Sequence, residues 1–313
     1  MAQIRTLLCV STLALITGVV EAGAQGSNSP DHYALTVSVD EVSLTFHAAD
    51  AHGLPINNLR LDEIHVLDNG KPPGKILSFQ SQQNLPLRAG ILLDSSPSMS
   101  EHLRTSRTIA LEYAQKLLLQ QADQAFVMDF GYVSKITQTW TNKPAELTAG
   151  IASAGNVNPL PGTAILDSLF RTCSYQFGEI GPGTSRNFIL LFSDGEDNAS
   201  HSSLKDVVGA CQRTNTAIYA FRAESKPAFF SSGPGMLEEL TSQSGGRVFY
   251  DDASQAEIYR DLLVVEADLR DQYRLVYKPA DLKSDGSFRH VELLGPERAT
   301  SIRVRAGYYA PNR

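Results

Sequence analysis

Apolar residues along this chain follow three rhythms, and the changes between them mark its organisation. From Ala89 to Asp94 the chain reads Ala-Gly-Ile-Leu-Leu-Asp, a continuous apolar run ending in a carboxylate. Such a run predicts a strand covered on both faces, as in a parallel sheet. From about His102 to Gln121, Ala110, Leu111, Ala114, Leu117 and Leu118 recur at helical spacing. Strands are predicted over 125–130 and 135–140, and the short Gly131 to Ser134 link makes them a hairpin. A helix over 144–154 with proline at its start leads to a loop, 156–162, and a helix over 163–175. Strands at 187–192, 217–221 and 247–250 then alternate with helices at 204–213, 236–242 and 255–269. The alternation predicts a doubly wound, mostly parallel six-stranded sheet with helices on both faces.

On either side the period falls to two. Leu35, Val37 and Val39 alternate with polar residues, and after Asp40-Glu41 the phase slips to Val42, Leu44 and Phe46, as at a bulge or a turn. Strands follow at Ile64 to Leu67, before a turn at Asp68-Asn69-Gly70, and at Ile76 to Phe79. Past Arg270, Tyr273, Leu275 and Tyr277 share a face, as do Val291 and Leu293. Ile302 and Val304 fit a last strand, with Arg298, Arg303 and Arg305 as its wet face. Neither flank is long enough to bury a core comfortably alone. Together they predict one immunoglobulin-like β-sandwich into which the α/β domain is inserted; two separate β appendages are the alternative. The resulting partition is 25–87 for the first part of the sandwich, 88–269 for the α/β domain and 270–313 for the second part.

The first 24 residues read differently: Arg5, an apolar stretch from Leu7 to Val20, and Ala22-Gly23-Ala24, a small-x-small end suited to a signal peptidase. The expectation is an exported protein, periplasmic or extracellular, with residues 1–24 removed. No other apolar run approaches the roughly 20 residues of a membrane span. Cys9 would leave with the signal, and Cys173 and Cys211 remain in a compartment where a disulfide persists. Right-handed connections put both of their helices on one face of the sheet, so a bridge and two buried free thiols both stay open. The formal charge of −7, without a basic block, excludes nucleic acid as a partner.

Candidate chemistry gathers where strands end or helices begin. Asp94, Ser96 and Ser98 follow the first buried strand at a spacing of two, so an extended loop turns them to one side. Thr163 precedes a helix, and Asp194 follows the fourth strand. In a parallel sheet these points converge over the crevice where strand order reverses. Two carboxylates and three hydroxyls are hard donors with little charge, suited to Mg²⁺ or Mn²⁺, less to Ca²⁺, and unlike the His and Cys set expected for zinc. Two carboxylates cannot fill six positions, so such an ion would stay ready to take a carboxylate from a partner.

The pattern Asp-x-Ser-x-Ser, then Thr, then Asp resembles the metal-ion-dependent adhesion site of the von Willebrand factor type A family, and all five positions match. Within it the chain is similar to the bacterial secreted VWFA-related proteins, through Ile76-Leu77-Ser78-Phe79, Ser193-Asp194-Gly195-Glu196-Asp197-Asn198, Tyr273-Arg274-Leu275-Val276-Tyr277 and Gly307-Tyr308-Tyr309. The resemblance implies a non-enzymatic adhesion protein. In it Ser96, Ser98 and, with ligand engaged, Thr163 would bind the ion directly, while Asp94 and Asp194 act directly or through water. An Asp or Glu of a protein or peptide partner would complete the shell. The family's glycine between the two serines is Pro97 here, which stiffens the loop and removes a donor. Glu196 and Asp197 read as a solvated acidic turn, with a place at the rim of the site, tuning its affinity, as the alternative, and Phe229 and Phe230 as either a contact surface or core. Two rival functions stand beside adhesion. A hydrolase lacks a second carboxylate two residues past Asp94, where Ser96 stands, and lacks a Gly-x-Ser-x-Gly elbow. A structural role in an envelope assembly would leave the metal site secondary.

Overall fold

The computed structural model describes residues 41–118, 120–155, 160–180, 183–223, 233–250 and 255–312. The expected signal segment, the alternation at Leu35 to Val39 and the Phe229-Phe230 loop lie outside the described residues. The first strands are β1 (Val42–Ala49), β2 (His65–Asp68) and β3 (Lys75–Ser81). The α/β part follows with β4 (Leu87–Asp94), α1 (Leu103–Leu117), β5 (Gln124–Phe130), β6 (Ser134–Thr141), α2 (Pro144–Ser153) and α3 (Ile165–Arg171). It continues through β7 (Arg186–Ser193), α4 (Leu204–Arg213), β8 (Thr216–Arg222), α5 (Gly233–Ser244), β9 (Arg247–Tyr250) and α6 (Gln255–Arg270). The chain closes with β10 (Gln272–Lys278), β11 (Phe288–Leu294), β12 (Ser301–Val304) and β13 (Gly307–Tyr309).

The central sheet has the order β6-β5-β4-β7-β8-β9 and is parallel except for β6, which forms the expected hairpin with β5. Its strands read as apolar runs because both faces are covered. Ala89, Ile91 and Leu93 of β4 pack with Ile109 and Tyr113 of α1, Leu147 of α2 and Val265 of α6. On the other face Leu92 packs with Leu169 of α3, Val208 of α4 and Leu240 of α5. Gly90 is required there, since a Cβ at that position would lie 2.8 Å from the Phe126 ring. The helix expected over 163–175 is shorter: α3 gives way to a π-helical turn, Thr172–Gln176. Cys173 in that turn is bonded to Cys211 of α4, with an S–S distance of 2.02 Å, which decides between the two readings of the thiols.

The flanks form two antiparallel sheets that share one apolar core, each combining strands from both ends of the chain. One has the order β12-β1-β10-β3 and the other β13-β11-β2. At its heart Asp68, 1% exposed, accepts from Arg289 Nε (2.7 Å), Tyr277 Oη (2.9 Å) and Tyr308 Oη (2.7 Å). The expected turn at Asp68-Asn69-Gly70 is present: Asp68 ends β2 and pairs with Lys71, with left-handed Asn69 and Gly70 between them. The two crossings between sandwich and α/β part lie side by side. Buried Arg186 donates to the Leu269 (2.8 Å) and Arg270 (2.7 Å) carbonyls at the end of α6 and to the Leu85 carbonyl before β4.

The reading of Arg303 and Arg305 as a wet face is corrected. Their face of the four-stranded sheet turns toward the α/β part: Arg303 lies 3.4 Å from Asp268 of α6, and Arg305 is buried. No helix among the described residues is long and apolar enough to cross a membrane.

Two outcomes follow for stability. The Cys173–Cys211 bridge closes a 38-residue separation, so replacing both cysteines by alanine lowers stability by about 2–4 kcal/mol in denaturant unfolding. Asp68→Ala leaves the buried Arg289 charge without its central partner. It costs about 3–5 kcal/mol, several times the ~1 kcal/mol expected of Tyr308→Phe, which removes one hydrogen bond.

Candidate metal centre

Asp94 is the last residue of β4, and Ser193 is the last of the adjacent β7. The chain leaves β4 for β5 on one side and later returns to pair β7 on the other, so the crevice between these strand ends is the topological switch point. Asp94 is fully buried in it. Its Oδ2 accepts from Ser193 Oγ (2.6 Å) and its Oδ1 from the Ser96 amide (2.9 Å). Burial pushes the Asp94 carboxyl up to about 7; the Ser193 and Ser96 hydrogen bonds pull it back, while the Asp194 charge pushes it further up.

The loop after Asp94 is pinned rather than free. The Ser95 amide (2.7 Å) and hydroxyl (3.1 Å) donate to the Phe130 carbonyl at the end of β5. Pro97 opens a 3-10 turn, Pro97–Glu101, whose buried Met99 anchors it below. Ser96 and Ser98, on either side of Pro97, hold their hydroxyls 3.2 Å apart. Ser96 is buried and Ser98 exposed, so the cluster opens to solvent along this edge.

Asp194 is 2% exposed. Its Oδ1 accepts from the Glu196 amide (3.0 Å), but its Oδ2 has no hydrogen-bond partner among the described residues. Buried Thr163 reaches the same edge through the loop that follows Asp194. Its amide donates to Asn198 Oδ1 (2.8 Å), and its carbonyl accepts from the Asn198 and Ala199 amides (both 3.1 Å). Gly162, at φ +111°, makes this approach possible: a Cβ there would lie 3.2 Å from Asn198 Oδ1 and 3.3 Å from the Tyr132 ring.

Several residues that organise the cluster lay outside the sequence reading. Ser193 orients Asp94. Asp197 is no solvated turn: its Oδ2 accepts from the Leu166 amide (2.8 Å) and from Ser200 Oγ (2.7 Å), so it caps α3 from another loop. Asp167 of α3 reciprocates by accepting from the His201 (3.1 Å) and Ser202 (2.7 Å) amides. The run Ser193 to Asn198 after a buried strand carried a signal for such capping, because Asp, Asn and Ser side chains bond backbone amides across short loops.

The donors fit a hard divalent ion. Asp194 Oδ2 is a buried acceptor that lacks a donor, and a cation is what such an oxygen calls for. No group of three or more His, Cys, Asp or Glu side chains converges among the described residues, so hydroxyls would have to supply part of any coordination shell here.

No family model and no curated protein matches the chain. Solved structures do. Proximal thread matrix protein 1 from the mussel byssus, with a zinc-occupied MIDAS motif, aligns at a TM-score of 0.50 and 12% identity, covering 65% of this chain and 50% of its own. The conserved hypothetical protein BatB from Bacteroides thetaiotaomicron aligns at a TM-score of 0.45 and 10% identity, covering 58% of this chain and 97% of its own. The chain thus spans half the length of the mussel protein. At these identities the likeness is one of fold alone; the α/β part, a mostly parallel six-stranded sheet with helices on both faces, has the architecture expected of a von Willebrand factor type A domain.

Proposed function

We propose that this is an exported, non-catalytic binding protein in which Asp94, Ser96, Ser98, Thr163 and Asp194 hold a divalent ion, Mg²⁺ or Mn²⁺, that captures an acidic group of a protein or peptide partner. The observation that supports the reading is Asp194 Oδ2, buried beside Asp94 at the switch point and without a hydrogen-bond partner among the described residues. Two carboxylates brought together out of water repel, and a bound cation would turn that repulsion into attraction. Bound there, the ion would act as a Lewis acid toward an incoming carboxylate. The chain's own residues fix the geometry: Ser193 holds Asp94, Asn198 holds Thr163, and Pro97 shapes the two-serine loop. The exposed side chains of Tyr132, Val133 and Leu160 stand near this edge and offer apolar contact area. The zinc in the mussel protein's MIDAS motif adds that ion as a third arm of the test.

Calorimetric titration of the metal-stripped protein with Mg²⁺, Mn²⁺ and Zn²⁺ should give saturable one-site binding, abolished in Asp94→Ala. Ser193→Ala, which removes the group that orients a ligand, should weaken affinity about 10–100-fold with the fold retained by circular dichroism. Absence of binding in the wild type would overturn the reading. A partner identified in the presence of metal should dissociate in chelator; a complex indifferent to chelator would favour a structural role for the sandwich.

A further inference from the structure

Arg305 is buried, yet no carboxylate lies within ion-pair distance of it among the described residues. Its neighbours are provided for: Arg303 and Arg247 lie 3.4 and 3.2 Å from Asp268, and Arg186 caps three carbonyls. The Arg305 Nε is sealed from water and has no hydrogen-bond partner among the described residues. An arginine cannot escape by giving up its proton, so an uncompensated buried guanidinium is costly.

Arg305 lines a small cavity of about 30 Å³ between the outer face of the four-stranded sheet and the base of the α/β part. Thr45 and Gln272 line it from the sandwich, and Asn187, Thr216 and Ser244 line it from the α/β part. None of the described lining residues is acidic, and Arg305 is their one charge. Thr45 and Gln272 bring a hydroxyl and a side-chain amide to the same space as the Arg305 guanidinium. Asn187 and Gln212 already donate their amides, to the Thr214 carbonyl (2.8 Å) and to the Gln243 (2.9 Å) and Gly307 (2.8 Å) carbonyls.

We propose that this cavity is a binding site for a chloride-sized monovalent anion, held by Arg305, Gln272 and Thr45, which joins the sandwich to the α/β part. The volume admits one such ion or about one water. Burial pulls the Arg305 guanidinium down to about 10, with Tyr277 and Tyr308 offsetting part of the shift; a bound anion would relieve that penalty. The site is independent of the divalent-metal reading and is tested without it.

The test is the thermal midpoint of the full protein in chloride and in gluconate at equal ionic strength, together with anomalous scattering from crystals grown in bromide. A site predicts a midpoint that climbs with chloride concentration as mass action requires and stays flat in gluconate. It also predicts a bromide peak within hydrogen-bond reach of the Arg305 guanidinium, and loss of the chloride effect in Arg305→Met. Equal midpoints in the two salts with no bromide peak, leaving water only in the cavity, would overturn the proposal. The bromide measurement uses the wild-type chain, so it stands even if the variant does not fold.

Discussion

Two carboxylates, Asp94 and Asp194, sit side by side at the dry ends of neighbouring parallel strands, and the rest of the site is arranged around that tension. Parallel pairing of β4 with β7 puts their last residues level, so their side chains emerge into one crevice. Helices on both faces exclude water from the strands that lead there, which is why a carboxylate at the end of an apolar run ends up buried. Ser193 and the Ser96 amide partly satisfy Asp94, whereas Asp194 keeps one oxygen without a donor. On the proposed reading, a divalent ion held by the pair would supply the missing partner.

The surrounding framework keeps those atoms in place. Thr163 is held by the loop that carries Asp194, and that loop caps α3 through Asp197 while α3 returns the favour through Asp167. Reciprocal capping of this kind makes loop and helix one unit, so a shift of the loop would move Thr163 with it. Below, the Cys173–Cys211 bridge ties the end of α3 to α4. At the opposite end of the sheet, Arg186 clamps the two chain crossings and the buried Asp68 network closes the sandwich. This edge of the sheet is thus mounted on helices and strands, with exposure reserved for Ser98 and the apolar rim.

Much of this was legible in the residues. Continuous apolar runs marked β4 and β7 because both sheet faces are covered, and helical spacing marked α1. Alternation marked β1, β10 and β11, because one face of each meets the sandwich core. The five oxygen-bearing residues stood out by their position after a strand or before a helix, and the structure carries all five to the same edge of the sheet. What failed was any inference that needed to know what lies across from a polar face. Arg303 and Arg305 alternate with Ile302 and Val304 as a solvated face would, but the α/β part covers that face, which no local period encodes. Asp68 and Arg289 are far apart in the chain, so their buried pairing could not be read from spacing. Asp197 looked like solvent-facing charge because its partner, the Leu166 amide, is backbone and leaves no trace in the sequence.

The account turns on whether Asp94 and Asp194 help to hold a divalent ion. The most direct measurement is anomalous scattering at the manganese edge from crystals of the wild-type protein grown with Mn²⁺. The account predicts a single strong peak in the crevice at the ends of β4 and β7, with the Ser96 and Ser98 hydroxyls in its coordination shell and Asp194 Oδ2 facing it. An empty crevice, or a peak only at surface carboxylates away from that edge, would contradict it.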